Sequence, residues 1–450
     1  MDISIDRSKS FQTMRGFGAS GAWWAQSVGG WDSGDGELKT KDRISRLLYS
    51  ETEGIGLGIY RYNLGSGSAR SGRGSYSDPL RRADSFETES GYDFSRDAAA
   101  VYMMKKAAED GADEIVLFVN SPPETLTKNG MGHLGKYEVF RTNLSKKNIP
   151  AFCTYCLDAA EHFISEGVPV KYISPVNEPL WIWNGGQEGC HYSPLQVRRV
   201  LAYFVKEMKK RPALSGVKLA GAENGDIRWF NKAYTRAVLG SRAVRELTDG
   251  IDIHSYCLPA PFPFLNDRTA FIKRYRKWLD RRYPGVPVNV SEWTHMKGGR
   301  DGGMDSALEQ ARVMTEDLTG LNACSWQHWI ACSPYDYCDG LLYIDCEKQT
   351  FERTKRYYAF GNFSRFVKKG AVRVAAECDD GDILISAYCK DGRTAVVLVN
   401  PTDEDKTLRL PVPTESFVTS ANDDLKKYTY PAGTQAAVPK KSVCTFIFTD

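Results

Sequence analysis

Two glutamates in this sequence could act together as a pair of reactive carboxyl groups. Glu178 lies in the segment SPVNEP at residues 174–179, and Glu292 lies in the segment VSEW at residues 290–293. Cleavage of a glycosidic bond needs one protonated carboxyl group for the leaving oxygen and one ionised carboxylate near the anomeric carbon. A separation of roughly 5 Å allows direct attack and retention of configuration, whereas a wider gap admits water and gives inversion. The pair is a candidate for this chemistry.

Polar residues on two other apolar runs could control how this pair ionises. Arg61 and Asn63 lie in the run IYRYN, and His254 and Tyr256 lie in the run IDIHSY. The charge of Arg61 and the hydroxyl group of Tyr256 would keep Glu292 ionised, because both stabilise a carboxylate. Less solvated surroundings would keep the partner carboxyl group protonated. These four residues are therefore candidate members of the same site.

A third carboxyl group and one amide also belong in this hypothesis. Asn177 precedes Glu178 and could bond the substrate hydroxyl next to the reacting carbon. Glu223, in the segment Ala-Glu-Asn, is a rival carboxylate that we interpret as a structural residue or a residue at the side of the cleft. A glutamate before proline often only ends a strand, so the hypothesis depends on the whole set of residues and not on Glu178 alone.

Alternating strands and helices would place these residues together. Short apolar runs predict strands at residues 16–19, 58–63, 114–119, 172–176, 218–222, 251–254, 288–290 and 323–329. Amphipathic segments predict helices at residues 96–110, 148–166, 194–210, 227–239, 267–283 and 304–318. Eight such repeats predict an α/β fold, a (β/α)8 TIM barrel, whose catalytic groups lie at the carboxyl ends of the strands. The fourth and seventh strands, which carry the two glutamates, face each other across it.

The pattern changes near residue 366. Short alternating runs broken by Asp-Gly turns follow, and the segment KDGR at residues 390–393 predicts a hairpin. We expect residues 366–450 to form a small β-sandwich side domain, which the opening strand of residues 1–13 could join. Residues 14–365 would then form the catalytic barrel.

Composition excludes several other classes of protein. The formal net charge is only +3 and no long basic run occurs, so we expect no nucleic-acid partner. No run of eighteen apolar residues occurs, so we expect no membrane span. The eleven cysteines include the pair Cys153 and Cys156, which we interpret as packing residues on a helix. We expect a monomer that is cytoplasmic, or secreted after removal of a signal peptide.

The order of motifs resembles clan A of the glycoside hydrolases and, within it, glycoside hydrolase family 30. The matching segments are RGFGAS (15–20), RYNLG (61–65), NSPP (120–123), SPVNEP (174–179), SEW (291–293) and YYAFGNFSRF (357–366). The resemblance implies a side domain built from both chain termini, Glu178 as acid/base and Glu292 as nucleophile. It also implies retention of configuration and no metal or other cofactor.

Aromatic residues make up 12% of the chain, and some of them are candidates for sugar contacts. The segment GAWWA at residues 21–25 resembles family members that act on β-1,6-linked galactan. After residues 120–123 many members carry a tryptophan where this chain has Glu124-Thr125. The further candidate substrate contacts are Asn120, Trp23, Trp24, Trp181, Trp183, Trp293, Trp326 and Trp329.

The leading prediction is a retaining hydrolase of β-linked galactan or galacto-oligosaccharides, with the 1,6 linkage first. The alternatives are a xylanase, a β-glucosidase or a β-1,6-glucanase of the same family. Outside hydrolysis, the alternatives are a carbohydrate-binding barrel without activity and a phosphate-handling barrel such as an aldolase. The first would not need the residues around the two glutamates, and the second would need a Schiff-base lysine that no predicted core strand ends with.

Overall fold

A ring of eight parallel strands forms the centre of the molecule. The computed structural model describes residues 1–36, 38–136, 138, 141–228, 231–410, 412 and 414–449. The barrel strands, first to eighth, are Gly16–Ser20, Ile59–Asn63, Glu114–Phe118, Val170–Ser174, Lys218–Leu219, Ile251–His254, Val288–Trp293 and Ala323–His328. Each strand pairs with its neighbours in the order fifth, fourth, third, second, first, eighth, seventh, sixth. Parallel bridges from Leu219 to Thr248 and from Asn224 to Ile253 close the ring.

Helices cover the outside of the barrel. The α-helices are Ala25–Val28, Thr40–Tyr49, Ser68–Ser71, Ala98–Asp110, Ile149–Ser165, Pro194–Met208, Asn231–Leu239, Arg242–Leu247, Arg268–Arg282, Met304–Glu316 and Lys355–Ser364. Short 3-10 turns occur at Pro79–Arg81, Glu124–Leu126, Lys146–Asn148, Pro212–Leu214 and Pro263–Leu265, and a π-helical turn at Asp317–Leu321. The predicted (β/α)8 barrel is confirmed.

The predicted elements differ from the observed ones around the first, fifth and last strands. The fifth strand is Lys218–Leu219 rather than 218–222, and the helix Arg242–Leu247 after it was not predicted. The sequence pattern did not predict Thr40–Tyr49 and Lys355–Ser364, which pack after the first and eighth strands. The buried face of Thr40–Tyr49 has helical spacing, but two of its five residues, Lys41 and Ser45, are polar, which shortens the apolar pattern. Lys355–Ser364 is buried on nearly every side, so its apolar residues do not form a single stripe. Residues 229 and 230 of the predicted helix 227–239 lie outside the described residues.

The amino-terminal end of the barrel is held by a buried ion pair. Arg15, before the first strand, donates from Nε to Glu114 of the third strand at 2.6 Å. Lys369 adds a second bond to the same carboxylate at 2.8 Å. The charges of Arg15 and Lys369 overcome the effect of burial and lower the pKa of Glu114. This pair lies at the end of the barrel that in such folds contributes to stability, opposite the end that carries catalytic residues.

The side domain contains strands from both chain termini, as the fold prediction required. A seven-stranded antiparallel sheet has the order Ile3–Thr13, Val372–Cys378, Leu384–Lys390, Arg393–Asn400, Ser442–Thr449, Thr414–Thr419, Lys426–Tyr430. Strands Lys406–Arg409 and Gln435–Val438 form a second, two-stranded sheet. Buried residues of both sheets, among them Val396, Leu408 and Phe446, form one core. Residues 411, 413 and 450 of this region lie outside the described residues.

The predicted hairpin forms at residues 390–393. Lys390 pairs with Arg393, and Asp391 and Gly392 between them have φ values of 48° and 71°. Two successive residues with positive φ define the turn that matches the twist of antiparallel strands. Glycine and aspartate tolerate this conformation better than other residues, which is why the Asp-Gly pair predicts the turn.

Three small sheets lie in the loops that the structure describes. Two of them are two-stranded, Gly34–Asp35 with Leu38–Lys39 and Glu87–Thr88 with Gly91–Tyr92. The third is three-stranded, with Leu342–Asp345 between Cys332–Ser333 and Thr350–Arg353.

All eleven cysteines carry free thiols. Cys153 and Cys156 are buried in the core, and burial raises the pKa of the Cys153 thiol to about 12, so this pair packs as predicted. Within the described ranges, no helix has the length and apolar character needed to cross a bilayer.

Candidate active site

Glu178 and Glu292 meet at the carboxyl-terminal mouth of the barrel. Glu178 follows the fourth strand, and Glu292 lies near the end of the seventh, Val288–Trp293. Three atoms lie within 4.8 Å of one another: one carboxyl oxygen of Glu178, one carboxyl oxygen of Glu292 and a ring nitrogen of His254. Glu178 has a φ of 42°, an unusual left-handed conformation for a residue with a side chain. The backbone N–H of Glu178 donates to the carbonyl of Glu223 at 2.8 Å, which helps to fix this conformation.

Arg61 joins three of the predicted residues through one buried guanidinium group. Its Nη1 donates to Glu292 Oε2 at 2.7 Å, and its Nη2 donates to Glu223 Oε2 and to Asn177 Oδ1, both at 2.9 Å. The side chain of Arg61 is fully buried, and its charge centre lies 3.9 Å above the ring of Phe118. A buried cation needs such partners, because burial of an unpaired charge is costly. Arg61 therefore holds the nucleophile candidate and Glu223 in fixed positions.

His254 and Tyr256 approach the glutamate pair from the sixth strand. Nδ1 of His254 lies 3.0 Å from Glu178 Oε1 and 3.4 Å from Glu292 Oε1. The hydroxyl group of Tyr256 donates to Glu292 Oε1 at 3.0 Å. Burial alone would lower the pKa of His254, but the charges of Glu292 and Glu178 outweigh it, so this pKa is raised. A positive charge is thereby favoured between the two carboxyl groups.

The pKa values of the two buried carboxyl groups that contact Arg61, Glu292 and Glu223, are shifted in opposite directions. Burial raises the pKa of Glu292, and the neighbouring charge of Glu178 adds to the rise, although His254 and Arg61 oppose it. Burial would also raise the pKa of Glu223, but Arg61 and His254 reverse that effect and hold this pKa below its usual value. Ser174 donates a further hydrogen bond to Glu223 at 2.6 Å. The ionised form of Glu223 is therefore favoured, and it positions Arg61, which agrees with the structural role that was one of the two interpretations of this residue.

A chain of three asparagines extends from Arg61 along one wall. Nδ2 of Asn177 donates to Asn120 Oδ1 at 3.0 Å, and Nδ2 of Asn120 donates to Asn63 Oδ1 at 3.3 Å. Asn177 and Asn120 line the cavity, whereas Asn63 supports Asn120. The structure thus brings together residues from the second, third and fourth strands that the sequence had placed in one site.

A cavity of about 310 Å³ opens above the glutamates. It is lined by Asn120, Asn177, Glu178, Leu180, Trp181, Trp183, Gln187, Gly225, Asp226, Arg228, Tyr256, Leu258, Glu292, Met296 and Trp329. Three of the predicted tryptophans, Trp181, Trp183 and Trp329, are in this set. Such a mixture of aromatic walls and a few polar groups is typical of a site for a small or chain-like ligand.

Two predicted sugar contacts, Trp24 and Trp326, are corrected by the structure. Both are almost fully buried away from the cavity. The indole N–H of Trp24 donates to the carbonyl of Ser20 at 2.8 Å, and that of Trp326 donates to Asp317 at 2.9 Å. Since their polar atoms are already bonded inside the protein, these two rings are core residues.

Trp23 and Trp293 also lie behind the cavity wall. The ring of Trp23 packs edge-on against Trp329 at 5.1 Å, and the ring of Trp293 packs against Trp326 at 5.8 Å. Neither belongs to the cavity lining. Their expected contact with sugar is therefore corrected to a supporting role.

Glu124, which stands where many relatives have tryptophan, is buried and accepts a hydrogen bond from the N–H of Gly132 at 3.1 Å.

The loop after the fifth strand supplies lining residues that sequence reasoning missed. Asp226 and Arg228 lie there, joined at 2.7 Å by an ion pair that is largely buried. Leu258 from the sixth-strand loop and Met296 from the seventh-strand loop complete this side. The rule that catalytic barrels use the loops after each strand could have pointed to Asp226 and Arg228, which lie within five residues after Glu223.

Replacement of Gly225 by alanine is expected to lower kcat by roughly 100-fold with little effect on stability, because a misplacement of about 1 Å has this effect on catalysis. A Cβ at this position would lie 2.6 Å from Glu178 Oε1, so the carboxyl group would have to move. Steady-state kinetics and thermal unfolding would measure both effects. Gly216→Ala is the matched control, since its added Cβ meets no atom within 4 Å. Normal kcat in Gly225→Ala would contradict the assigned position of Glu178.

The charges around the two glutamates bear on metal binding at this site. Among the described residues, Glu178, His254 and Glu292 form a group whose geometry could ligate a cation. Arg61, however, already pairs with Glu292, and the two carboxyl groups raise the pKa of His254, which favours a positive charge between them. The expectation of a reaction without a metal ion therefore remains.

The fold and the paired carboxyl groups at the barrel mouth define a glycoside hydrolase. The family model described as O-glycosyl hydrolase family 30 matches residues 1–244 and 286–343, which is more than half of the chain, so the chain belongs to this family. An endo-beta-1,6-galactanase of Hypocrea rufa is 24% identical over 95% of this chain and 89% of its own length. The resemblance inferred from the sequence is confirmed, and the protein is an O-glycosyl hydrolase.

Solved structures share the complete fold. A conserved exported protein from Bacteroides fragilis superposes with a TM-score of 0.88 at 22% identity. The catalytic domain of xylanase C from Talaromyces cellulolyticus superposes with a TM-score of 0.75 at 19% identity. Both comparisons cover 100% of each chain. At these identities the similarity shows the barrel and its side domain.

Proposed function

We propose that this enzyme hydrolyses β-1,6-galactosyl linkages with retention of configuration, using Glu178 as acid/base and Glu292 as nucleophile. The observation that carries the mechanism is the approach of the two carboxyl groups to within 4.8 Å. This spacing suits direct attack by a carboxylate and is too narrow for the arrangement that admits water between carboxylate and sugar.

The hydrogen bonds around the pair assign the two roles. Arg61 and Tyr256 both donate to Glu292, and both favour its ionised form. These two donors bond Glu292 rather than Glu178, so Glu292 is assigned as the attacking carboxylate although burial raises its pKa. Glu178 is then the group that transfers a proton to the leaving oxygen.

The proposed reaction has two displacements. In the first, a carboxylate oxygen of Glu292 bonds the anomeric carbon, while the bond from that carbon to the leaving oxygen breaks and Glu178 transfers its proton to that oxygen. In the second, Glu178 removes a proton from water, the water oxygen bonds the anomeric carbon, and the ester bond to Glu292 breaks. Asn177 would hold the sugar hydroxyl next to the reacting carbon throughout.

The substrate assignment is supported by similarity along almost the whole chain. The Hypocrea rufa relative is named as an endo-beta-1,6-galactanase, and the segment GAWWA at residues 21–25 resembles family members of the same kind. Xylan is the second candidate, because a protein with the same fold is named as a xylanase. A β-glucoside or β-1,6-glucan is the remaining alternative within the family.

A substrate screen is expected to show hydrolysis of β-1,6-galactan ahead of β-1,3-galactan, xylan and β-1,6-glucan. Products would be sized by chromatography, and the configuration of the newly formed reducing end would be read by NMR before mutarotation. The proposal requires the β anomer as first product. Preference for xylan or glucan would overturn the substrate, and an α anomer would overturn the mechanism. The Glu292→Gln variant is the control for contaminating hydrolases.

A further inference from the structure

Exposed apolar side chains gather around the mouth of the cavity. In the described part of the chain the large exposed apolar residues include four on loops that follow barrel strands, namely Trp181, Phe262, Phe264 and Met296. Trp181 and Met296 line the cavity itself. Phe262 and Phe264 are exposed by 58% and 70%, do not belong to the cavity lining, and lie on the loop after the sixth strand.

The rings of the two phenylalanines have nearly parallel planes. Their ring centroids are 5.8 Å apart and their planes differ by 24°. The loop that carries them reads LPAPFPFLN from residue 258 to 266, with a proline on each side of Phe262. Proline restricts the backbone, so little conformational freedom remains to be lost when a ligand covers the rings. Exposed rings on a restricted loop are a feature of binding surfaces rather than of ordinary surface loops.

Both ends of this loop are fastened to the cavity wall. The N–H of Leu258 lies 3.4 Å from Asp226 Oδ2, and Nη1 of Arg228 donates to the carbonyl of Leu265 at 2.9 Å. Asn266 closes the loop on itself, since its side chain exchanges two hydrogen bonds with the backbone of Ala260, at 2.8 and 2.9 Å. The phenylalanine pair is therefore held at a set place beside the cavity.

The loop lies on the side of the cavity where Glu178 is found. Gly225 is so close to Glu178 that an added Cβ would lie 2.6 Å from its carboxyl oxygen, and Asp226 follows directly. Asp226 and Arg228 then bond the phenylalanine loop. If Glu178 protonates the leaving oxygen, this wall faces the part of the substrate that departs.

We infer that Phe262 and Phe264 form an outer binding site for sugar residues on the leaving-group side of the cleaved bond. This inference rests on the proposed function, because it uses Glu178 as the acid. The ligand class is a β-linked oligosaccharide or polysaccharide, whose C–H faces pack on aromatic rings. A chain that fills the cavity and continues over these rings has its cleaved bond in the interior, so the site favours internal cleavage of long substrates.

The test compares long and short substrates in the double variant Phe262→Ala/Phe264→Ala. The readout is the ratio of kcat/KM for β-1,6-galacto-oligosaccharides of increasing length to kcat/KM for nitrophenyl β-galactoside, which has no sugar beyond the cleaved bond. The ratio for the longest substrates should fall roughly tenfold, the size expected when contacts with one or two rings are lost. The variant Phe262→Tyr/Phe264→Tyr keeps both rings and should restore the ratio.

Phe11→Ala is the matched control, because Phe11 is an exposed phenylalanine on the side-domain strand Ile3–Thr13. It should leave the ratio unchanged. An unchanged ratio in the double alanine variant, whether both activities fall or neither does, would overturn the inference and leave the rings to another occupant, such as a protein or a lipid surface. Wild-type enzyme without activity on galactan would instead overturn the proposed substrate, and the ratio would be measured with the polymer and aryl glycoside that it does cleave.

Discussion

Glu292→Gln and Glu178→Gln are each expected to lower kcat on natural substrates by several orders of magnitude while leaving the fold intact. Loss of Glu292 removes the group that would form the covalent intermediate. Loss of Glu178 removes acid and base catalysis, which contributes roughly 10²- to 10⁴-fold. Kinetics on galactan and circular dichroism would measure activity and folding. Glu114→Gln, at the opposite end of the barrel, is the matched control and should keep normal turnover.

The two glutamates can be told apart by the leaving group and by azide. A dinitrophenyl glycoside needs no protonation on departure, so Glu178→Gln should form the glycosyl-enzyme from it almost normally, whereas Glu292→Gln should not. Azide should rescue Glu292→Gly with the inverted azide product and Glu178→Ala with the retained one. Each azide attacks from the side that the missing carboxyl group occupied. Rescue at a different carboxylate, or products of the opposite configuration, would refute the assignment.

Arg61→Met is expected to damage both catalysis and stability. The variant leaves Glu292 and Glu223 buried without their shared cation, and breaking a buried ion pair in this way costs about 3–5 kcal/mol. Since Arg61 lowers the pKa of Glu292, its removal should raise that pKa further and shift the acid limb of the kcat/KM profile to higher pH. The profile and denaturant unfolding at several pH values would measure both effects.

The loss of stability should itself depend on pH. Arg61 holds the pKa of Glu223 in the folded protein below its usual value. The stability that this pair contributes is therefore fully present above the pKa that Glu223 has in the unfolded chain, and it is lost as the pH falls through the pKa of Glu223 in the folded protein. Wild type and Arg61→Met should therefore differ most near neutral pH and least in acid. Arg15→Met breaks the pair with Glu114 at the far end of the barrel and is the control. It should lose stability but keep the wild-type pH profile of kcat/KM, and an unshifted profile in Arg61→Met would show that Arg61 does not tune Glu292.

The mouth of the site was predictable from local sequence because of the way a parallel barrel is built. All eight strands point the same way, so the polar residues at their carboxyl ends converge whatever the details of packing. Asn177, Glu178, His254 and Glu292 could be assigned to one site once their strands were recognised. The Asp-Gly hairpin at residues 390–393 was equally local, since its turn depends on the two residues within it.

The tertiary structure decided which rings face the cavity and which charges share a partner. Trp24 and Trp326 were indistinguishable in the sequence from Trp183 and Trp329, because a ring on a strand or loop turns inward or outward according to neighbours far along the chain. Arg61 and Glu292 are 231 positions apart in the sequence, so no local pattern predicts their contact. The sequence by itself determined the barrel and the positions of its two candidate glutamates through repeated short-range patterns. Long-range packing alone determined that Glu223 anchors Arg61 and that the phenylalanine loop lies beside Glu178.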